Sequence, residues 1–297
     1  MKKYILGALL ISLLLLSGVA GCPTNTPTPA AKSSGLSVSF SKDAPPLSVN
    51  VNQEFPIFVD ILNGGGDYIA KGDAKFYLTG SGQSFENVKS SLSNERVLNK
   101  ESTSPDKLIF ASNAKFTFPL QSLLVQTWAL TSCYPYGTSS QANICIAASN
   151  QSSICSISGE KITSGFNSVA PVQISSLTEE VVGSRLRVSF TISNKLDGQV
   201  YLPDTDCDSL LQQKEYTEAA KKDKVGIEVR SPEKDFVCKL QGSTFPYISV
   251  DSLEGSAQLG TVICERPLSK EDHVSPFSVI MRYRYVSSIT KNLNILP

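Results

Sequence analysis

Three observations predict an all-β protein with two tandem β-sandwich domains and one short inserted helix. Short runs of alternating apolar and polar residues, rich in Val, Ile, Thr, Tyr and Phe, recur between Gly, Pro, Asn and Ser clusters. One order of strands occurs twice along the chain. Six cysteines follow an apolar N-terminal segment, which marks a disulfide-bearing exported body.

The first element is not part of the fold. In MKKYILGALLISLLLLSGVAGC, Lys2 and Lys3 precede an apolar run from Tyr4 to Leu16, and Ala20 and Gly21 stand before Cys22. That layout is an export signal over residues 1–21. VAGC resembles the lipobox of prokaryotic lipoproteins. The resemblance implies cleavage before Cys22, lipid on its thiol, and an extracytoplasmic chain anchored to the cell membrane. Residues 22–35, PTNTPTPAAKSSG after the cysteine, are dominated by Pro, Thr, Ser and Ala, with one charge. They bury no apolar surface and predict an extended tether.

The body begins at Leu36. FPIFVDILN places Phe55, Ile57, Val59 and Ile61 on one face. RLRVSFTISN places Leu186, Val188, Phe190 and Ile192 on one face, with Arg185, Arg187, Ser189 and Thr191 opposite, as in an antiparallel sheet wet on one side. Further strands are expected at 36–40, 74–79, 107–111, 114–118, 122–136, 142–147, 225–230, 246–250, 258–264 and 277–286. Residues 208–223, DSLLQQKEYTEAAKKD, predict the one helix, with Leu210, Leu211, Ala219 and Ala220 among helix formers and lysines in its last turn.

The repeat sets the domains. Tyr134, Tyr136, Ser139, Asn143 and Ile146 fall on Tyr283, Tyr285, Ser288, Asn292 and Ile295, and Phe55, Ile57, Val59, Ile61 and Asn63 fall on Leu186, Val188, Phe190, Ile192 and Asn194. Each half therefore opens with a strand ending in I-x-N. Each closes with a Tyr-x-Tyr strand, a Ser-rich turn and a return strand. The expected domains are 36–148 and 171–297, joined by the Ser-rich linker 149–170. Ile61 and Asn63 with Gly64, Gly65 and Gly66 resemble the early strand of immunoglobulin-like domains of the cell-adhesion-related type on prokaryotic surfaces. The lipobox, tether and paired β-domains together resemble archaeal surface lipoproteins. These resemblances imply two immunoglobulin-like sandwiches and supply no catalytic residue.

The cysteines beyond the lipobox are Cys133, Cys145, Cys155, Cys207, Cys238 and Cys264, none in C-x-x-C spacing. A hairpin turning near Ser139 would set Cys133 opposite Cys145. Cys238 and Cys264 lie in two predicted strands of the second domain and could join them, which leaves Cys155 in the linker and Cys207 before the helix to tie the domains together. Fifteen pairings are open to six cysteines.

Chemistry-bearing motifs are sparse. His273, the single histidine, lies in KEDHVSPF with no G-x-S-x-G elbow elsewhere in the chain. It reads as a solvated loop residue, and thiolate zinc would need unusual spacings. In DTDCDSLLQQKE, Asp204, Asp206, Asp208 and Glu215 match some positions of a calcium loop, but Ser209 replaces the required Gly and Leu210–Leu211 follow. The competing reading is an acidic helix start at Asp206 or Asp208. GGG at 64–66 lacks a following helix and Lys, so it is a turn. Trp128 and the tyrosines read as packing residues, with any exposed tyrosine suited to a contact face. Asn150 heads a sequon in the linker.

Lys and Arg total 27 against 27 Asp and Glu, with no basic stripe, so nucleic acid is not an expected partner. The expectation is a lipid-anchored surface protein with a non-enzymatic binding, adhesion or envelope-structural role and no cofactor. Its partner would be the membrane through the anchor and a surface protein, a glycan or a second copy. The alternative is a secreted hydrolase, or an accessory subunit of an envelope enzyme or solute-binding complex.

Overall fold

The computed structural model describes residues 34–80, 84–149, 152–163, 165–211, 218–233, 235–240, 248–249 and 255–297. Among these the protein is mostly β. The first half contributes β1 (Leu36–Phe40), β2 (Ser48–Asn50), β3 (Glu54–Asn63), β4 (Lys75–Thr79), β5 (Phe85–Glu86), β6 (Ser91–Ser93), β7 (Asp106–Phe116) and β8 (Leu124–Ile146). After them come β9 (Val172–Val182), β10 (Arg185–Asn194), β11 (Gln199–Tyr201), helix α1 (Cys207–Leu211) and β12 (Lys224–Arg230). The chain ends with β13 (Val237–Leu240), β14 (Ile248–Ser249), β15 (Gly255–Gln258), β16 (Gly260–Pro267) and β17 (His273–Leu296).

The long strands β8 and β17 organise everything else. They pair antiparallel along their whole length, from His273 opposite Ile146 to Ile295 opposite Leu124. On the outer edge of β8 lie β4 and then β6, and on the outer edge of β17 lie β12, β11 and β2. Two smaller sheets cover the ribbon. One has the order β1-β3-β7-β5 and the other β14-β13-β16-β10-β9. The β3 face of Phe55, Ile57, Val59 and Ile61 is buried, as is the β10 face of Leu186, Val188, Phe190 and Ile192. Phe85 on β5 meets Trp128 on β8 edge-on at 4.8 Å, and Phe190 on β10 meets Phe277 on β17 at 6.1 Å. Such face-to-face burial of alternating apolar residues is the packing of a β-sandwich.

The expected turn near Ser139 is absent, and so is its counterpart in the second half. Met281, Ile280 and Val279 stand opposite Thr138, Ser139 and Ser140, so the Ser/Thr cluster stays in strand. Every even-numbered residue of β8 from Trp128 to Ile146 is buried, which a turn would break. The Cys133–Cys145 pairing therefore falls. Twelve residues of one strand hold the two cysteines about 40 Å apart. Cys133 instead bonds Cys207, and Cys145 bonds Cys155, which also overturns the expected Cys155–Cys207 bond. Cys133 has odd parity and points to the ribbon's outer side. There Cys207, Leu210, Tyr201 and Val286 form a second small core. Cys238 and Cys264, directly opposite each other on β13 and β16, form the third bond. Three disulfides point to an oxidising, extracytoplasmic compartment. Among the described residues no helix is long and apolar enough to cross a membrane.

The expected helix over 208–223 is described only near its two ends. Helical geometry covers Cys207–Leu211, a 3-10 turn covers Ala219–Lys221, and residues 212–217 lie outside the described residues. The segment closes on itself because Leu202 N–H donates to Lys221 O at 3.0 Å. The Ser-rich stretch after β8 packs on the body, with Ile157 and Phe166 buried. Lys161 N–H donates to Leu177 O, and Ser168 N–H to Ser139 O, each at 2.8 Å.

Candidate functional site

At the ribbon's midpoint Pro135 stands opposite Arg284, with Tyr134 opposite Tyr285 and Tyr136 opposite Tyr283. All four rings are buried. The Tyr136 hydroxyl donates to Asn63 Oδ1 at 3.0 Å and accepts Asp67 N–H at 3.4 Å. Asn63 Oδ1 also accepts Gly65 N–H at 3.3 Å, and Nδ2 donates to Asp67 O at 2.7 Å. The same bonds recur in the second half. Tyr285 donates to Asn194 Oδ1 at 3.3 Å and accepts Gly198 N–H at 2.8 Å. Asn194 Oδ1 accepts Leu196 N–H at 3.2 Å, and its Nδ2 donates to Gly198 O at 2.6 Å. Tyr134 accepts Leu36 N–H and Tyr283 accepts Val172 N–H, both at 3.3 Å. Glycine is required where the rings press on the turns. A Cβ on Gly65 would collide with the Tyr136 hydroxyl, and one on Gly198 would collide with the Tyr285 ring.

Burial pushes the Tyr136 phenol up to about 12 and also pushes the Tyr283 and Tyr134 phenols well above their ordinary value. These hydroxyls remain protonated and act as bond donors and acceptors. The Tyr136 hydroxyl fixes the β3–β4 connection, which presents Asp67 and Tyr68 beside a crevice of about 230 Å³. Asp73, Pro135, Pro203 and Arg282 complete its rim. Tyr68 is 62% exposed. Arg282 projects from the exposed face of β17, opposite Gly137. Gly137 keeps the rim open, because a Cβ there would lie 2.7 Å from Asp67 Oδ2. An exposed ring flanked by carboxylates and a guanidinium suits a small, hydroxyl-rich or zwitterionic group: the ring gives a flat apolar contact and the charges take its polar atoms.

Other predicted site residues do not converge. Asp206 caps α1, accepting Asp208 N–H at 3.0 Å and the Ser209 hydroxyl at 2.7 Å, and its carboxyl is held below the usual range by Ser209 first and then by that N–H. Asp204 pairs with Lys221 at 3.3 Å, and Asp208 accepts the Tyr77 hydroxyl. Three carboxylates with three separate partners do not make the calcium set read from sequence, and Glu215, like Cys22 and Asn150, lies outside the described residues. Among the described residues no three His, Cys, Asp or Glu side chains are placed to share a metal ion.

His273 is not a loop residue. It opens β17, and its Nε2 lies 2.8 Å from Glu233 Oε1. Glu233 also pairs with Arg266, whose guanidinium stacks 5.7 Å from the Phe236 ring centre. Burial opposes ionisation of Glu233, but the bonds from His273 and Arg266 outweigh it and hold its carboxyl low. Sequence reasoning missed a second buried charge. Glu179 on β9 is 4% exposed, accepts Cys145 N–H at 2.9 Å and pairs with Lys161 at 3.3 Å. Burial pushes its carboxyl up to about 7, against the lowering effects of Cys145 N–H and Lys161. Its only sequence signal is a carboxylate in a strand with no clean alternation.

No protein-family model matches the chain, and no curated protein matches it. Among solved structures it is similar to the secreted serine protease VesC from Vibrio cholerae, at 11% identity over 84% of this chain and 50% of that one, with a TM-score of 0.21. It is also similar to Escherichia coli alpha-2-macroglobulin activated by porcine elastase, at 8% identity over 88% of this chain and 32% of that one, with a TM-score of 0.16. The chain thus spans half the length of the first of these structures or less.

Proposed function

We propose that the protein is a lipid-anchored cell-surface module of two immunoglobulin-like sandwiches, with a non-enzymatic binding or envelope-structural role. The observation that carries the reading is the ribbon. β8 and β17 each run through both halves and are paired from end to end. A hinge between two domains would cross that whole ladder, so the halves move as one piece. A rigid frame of this kind, closed by three disulfides, suits a load-bearing or presenting role outside the cytoplasm. The repeated Asn–Tyr network supports a duplicated unit, related by a pseudo-two-fold through Pro135 and Arg284. The crevice beside Tyr68 and Arg282 is the contact site, and a surface glycan or protein is the partner.

Two measurements test this. Fatty-acid labelling should mark the wild type and spare Cys22→Ala; equal labelling removes the anchor. Crosslinking on intact cells, followed by pull-down, should recover a partner with the wild type and lose it with the combined Tyr68→Ala and Arg282→Ala variant. Equal recovery by the variant removes the crevice as the contact site.

A further inference from the structure

Among the described residues, one end of the β8–β17 ribbon carries no charged side chain. Three segments meet there, residues 44–53, 116–127 and 292–296, and none contains Asp, Glu, Lys or Arg. Backbone bonds tie them together. Asn294 N–H donates to Leu47 O at 3.0 Å, Val51 N–H to Leu296 O at 2.9 Å, and Asn52 N–H to Phe116 O at 2.9 Å. Val125 lies opposite Asn294 across the ribbon. Large apolar side chains face water here: Leu47 is 75% exposed, Phe118 62%, Leu123 54%, Val125 53% and Leu296 39%. Such a group gathered at one place marks an interaction surface. The apolar end stops abruptly. Behind it Lys115 stands opposite both Glu54 and Glu86, and Lys291 reaches over Phe40. Pro45, Pro46 and Pro119 have no N–H, which lowers the number of backbone donors that would lose water if this end were covered.

We propose that this end inserts shallowly into the polar-lipid surface of the bilayer that holds the anchor. The inference rests on the lipid-anchor reading above. Two features favour a bilayer over a protein partner or a second copy. A surface without charged side chains has little to select one protein over another, since charge complementarity sets much of that choice. The interfacial zone of a bilayer takes up exposed Leu and Phe side chains by burying their apolar area, and the Ser, Asn and Gln between them here leave no charge to bury. The second feature is chain length. Leu36 is pinned at the ribbon's midpoint by its bond to Tyr134. From Tyr134 to Leu124 is ten residues of strand, about 33 Å. Cys22 precedes Leu36 by fourteen residues, which span at most about 50 Å. A lipid on Cys22 and the apolar end can therefore meet one membrane at the same time.

The test uses the full lipidated chain reconstituted in phosphatidylcholine vesicles containing a photoactivatable phospholipid, followed by peptide mapping. Lipid adducts should appear both on the peptide containing Cys22 and on peptides covering 117–125, equally at low and high salt. The combined Leu47→Ser, Phe118→Ser and Leu123→Ser variant should lose the second set, keep the first, and unfold at an unchanged temperature. Adducts on the Cys22 peptide alone in the wild type would leave the anchor standing and overturn the insertion. Adducts on neither peptide would overturn both. Adducts at 117–125 that vanish in high salt, or chain-to-chain crosslinks there in place of lipid adducts, would also overturn it.

Discussion

Tyr136 donates its hydroxyl hydrogen to the side-chain oxygen of Asn63 over 3.0 Å, joining residues 73 positions apart. The bond does two jobs. It satisfies a buried amide oxygen, and it sets the start of the β3–β4 connection that carries Asp67 and Tyr68. Asn63 is 1% exposed, so water cannot replace a lost partner without opening the core.

Tyr136→Phe should therefore destabilise the fold by about 1–3 kcal/mol, the cost of stranding buried polar groups. Asp67 N–H loses its acceptor and Asn63 Oδ1 loses a donor, although Gly65 N–H still reaches that oxygen. Tyr285→Phe should cost less, because its bonds to Asn194 and Gly198 are only part-buried. Urea denaturation of both single variants checks the order. A larger loss for Tyr285→Phe would mean that burial does not set the scale.

The tyrosines and Asn63 were legible in sequence because period-two alternation and I-x-N spacing are local. What the ribbon does with them was not. A Ser/Thr cluster beside Gly137 has the composition of a turn, but here β17 supplies a backbone partner for every residue of β8 and holds the cluster in strand. Partner strands more than 120 positions away leave no local mark. The Cys133–Cys145 pairing failed for the same reason, since parity placed Cys133 on the outer face only once the turn was gone, whereas Cys238 and Cys264 are joined as expected. The crevice was invisible because Asp67, Tyr68, Pro203 and Arg282 come from three separate connections and strands. Glu179 stayed hidden because nothing near it in sequence announces Lys161 or Cys145 as its partners.

Disulfide removal should rank by the chain each bond closes. Cys133 and Cys207 are 74 residues apart, and Cys145 and Cys155 are 10 apart. Chain entropy assigns about 4 kcal/mol to the first and about 3 kcal/mol to the second. The pair Cys133→Ala and Cys207→Ala should lose more still, because it also loosens the outer cluster of Tyr201, Leu210 and Val286. Equilibrium unfolding of the two double variants decides the order. Mapping without reduction should recover the three linked peptides, with Cys238 joined to Cys264.

The Glu233–Arg266 pair should behave as a buried ion pair. Arg266 is 7% exposed, and Glu233→Gln leaves its guanidinium without a countercharge, at a cost of about 3 kcal/mol. Adding Arg266→Met to Glu233→Gln should recover much of that loss, since the methionine can pack on Phe236 and no charge remains stranded. A double variant as unstable as the sum of the single ones would show that the pair is not coupled. Glu233 has a lowered folded pKa, so its contribution is present above the usual 4.5 and is lost as pH falls through the folded value.

Glu179 should show the opposite pH dependence. Its carboxyl titrates near 7 in the folded chain against 4.5 as the ordinary value, chiefly because burial disfavours the charged form. Between those values the folded state holds a proton that the unfolded state has released. Stability from this group is therefore fully present below pH 4.5 and is lost as pH rises toward 7, by on the order of 3 kcal/mol. Glu179→Gln keeps a neutral side chain that can still accept Cys145 N–H at every pH. The variant should match the wild type near pH 4.5 and exceed it at pH 8. Denaturant midpoints taken across that range test the sign. A wild type that gains on the variant as pH rises would mean that Lys161, 3.3 Å away, stabilises the carboxylate more than burial penalises it.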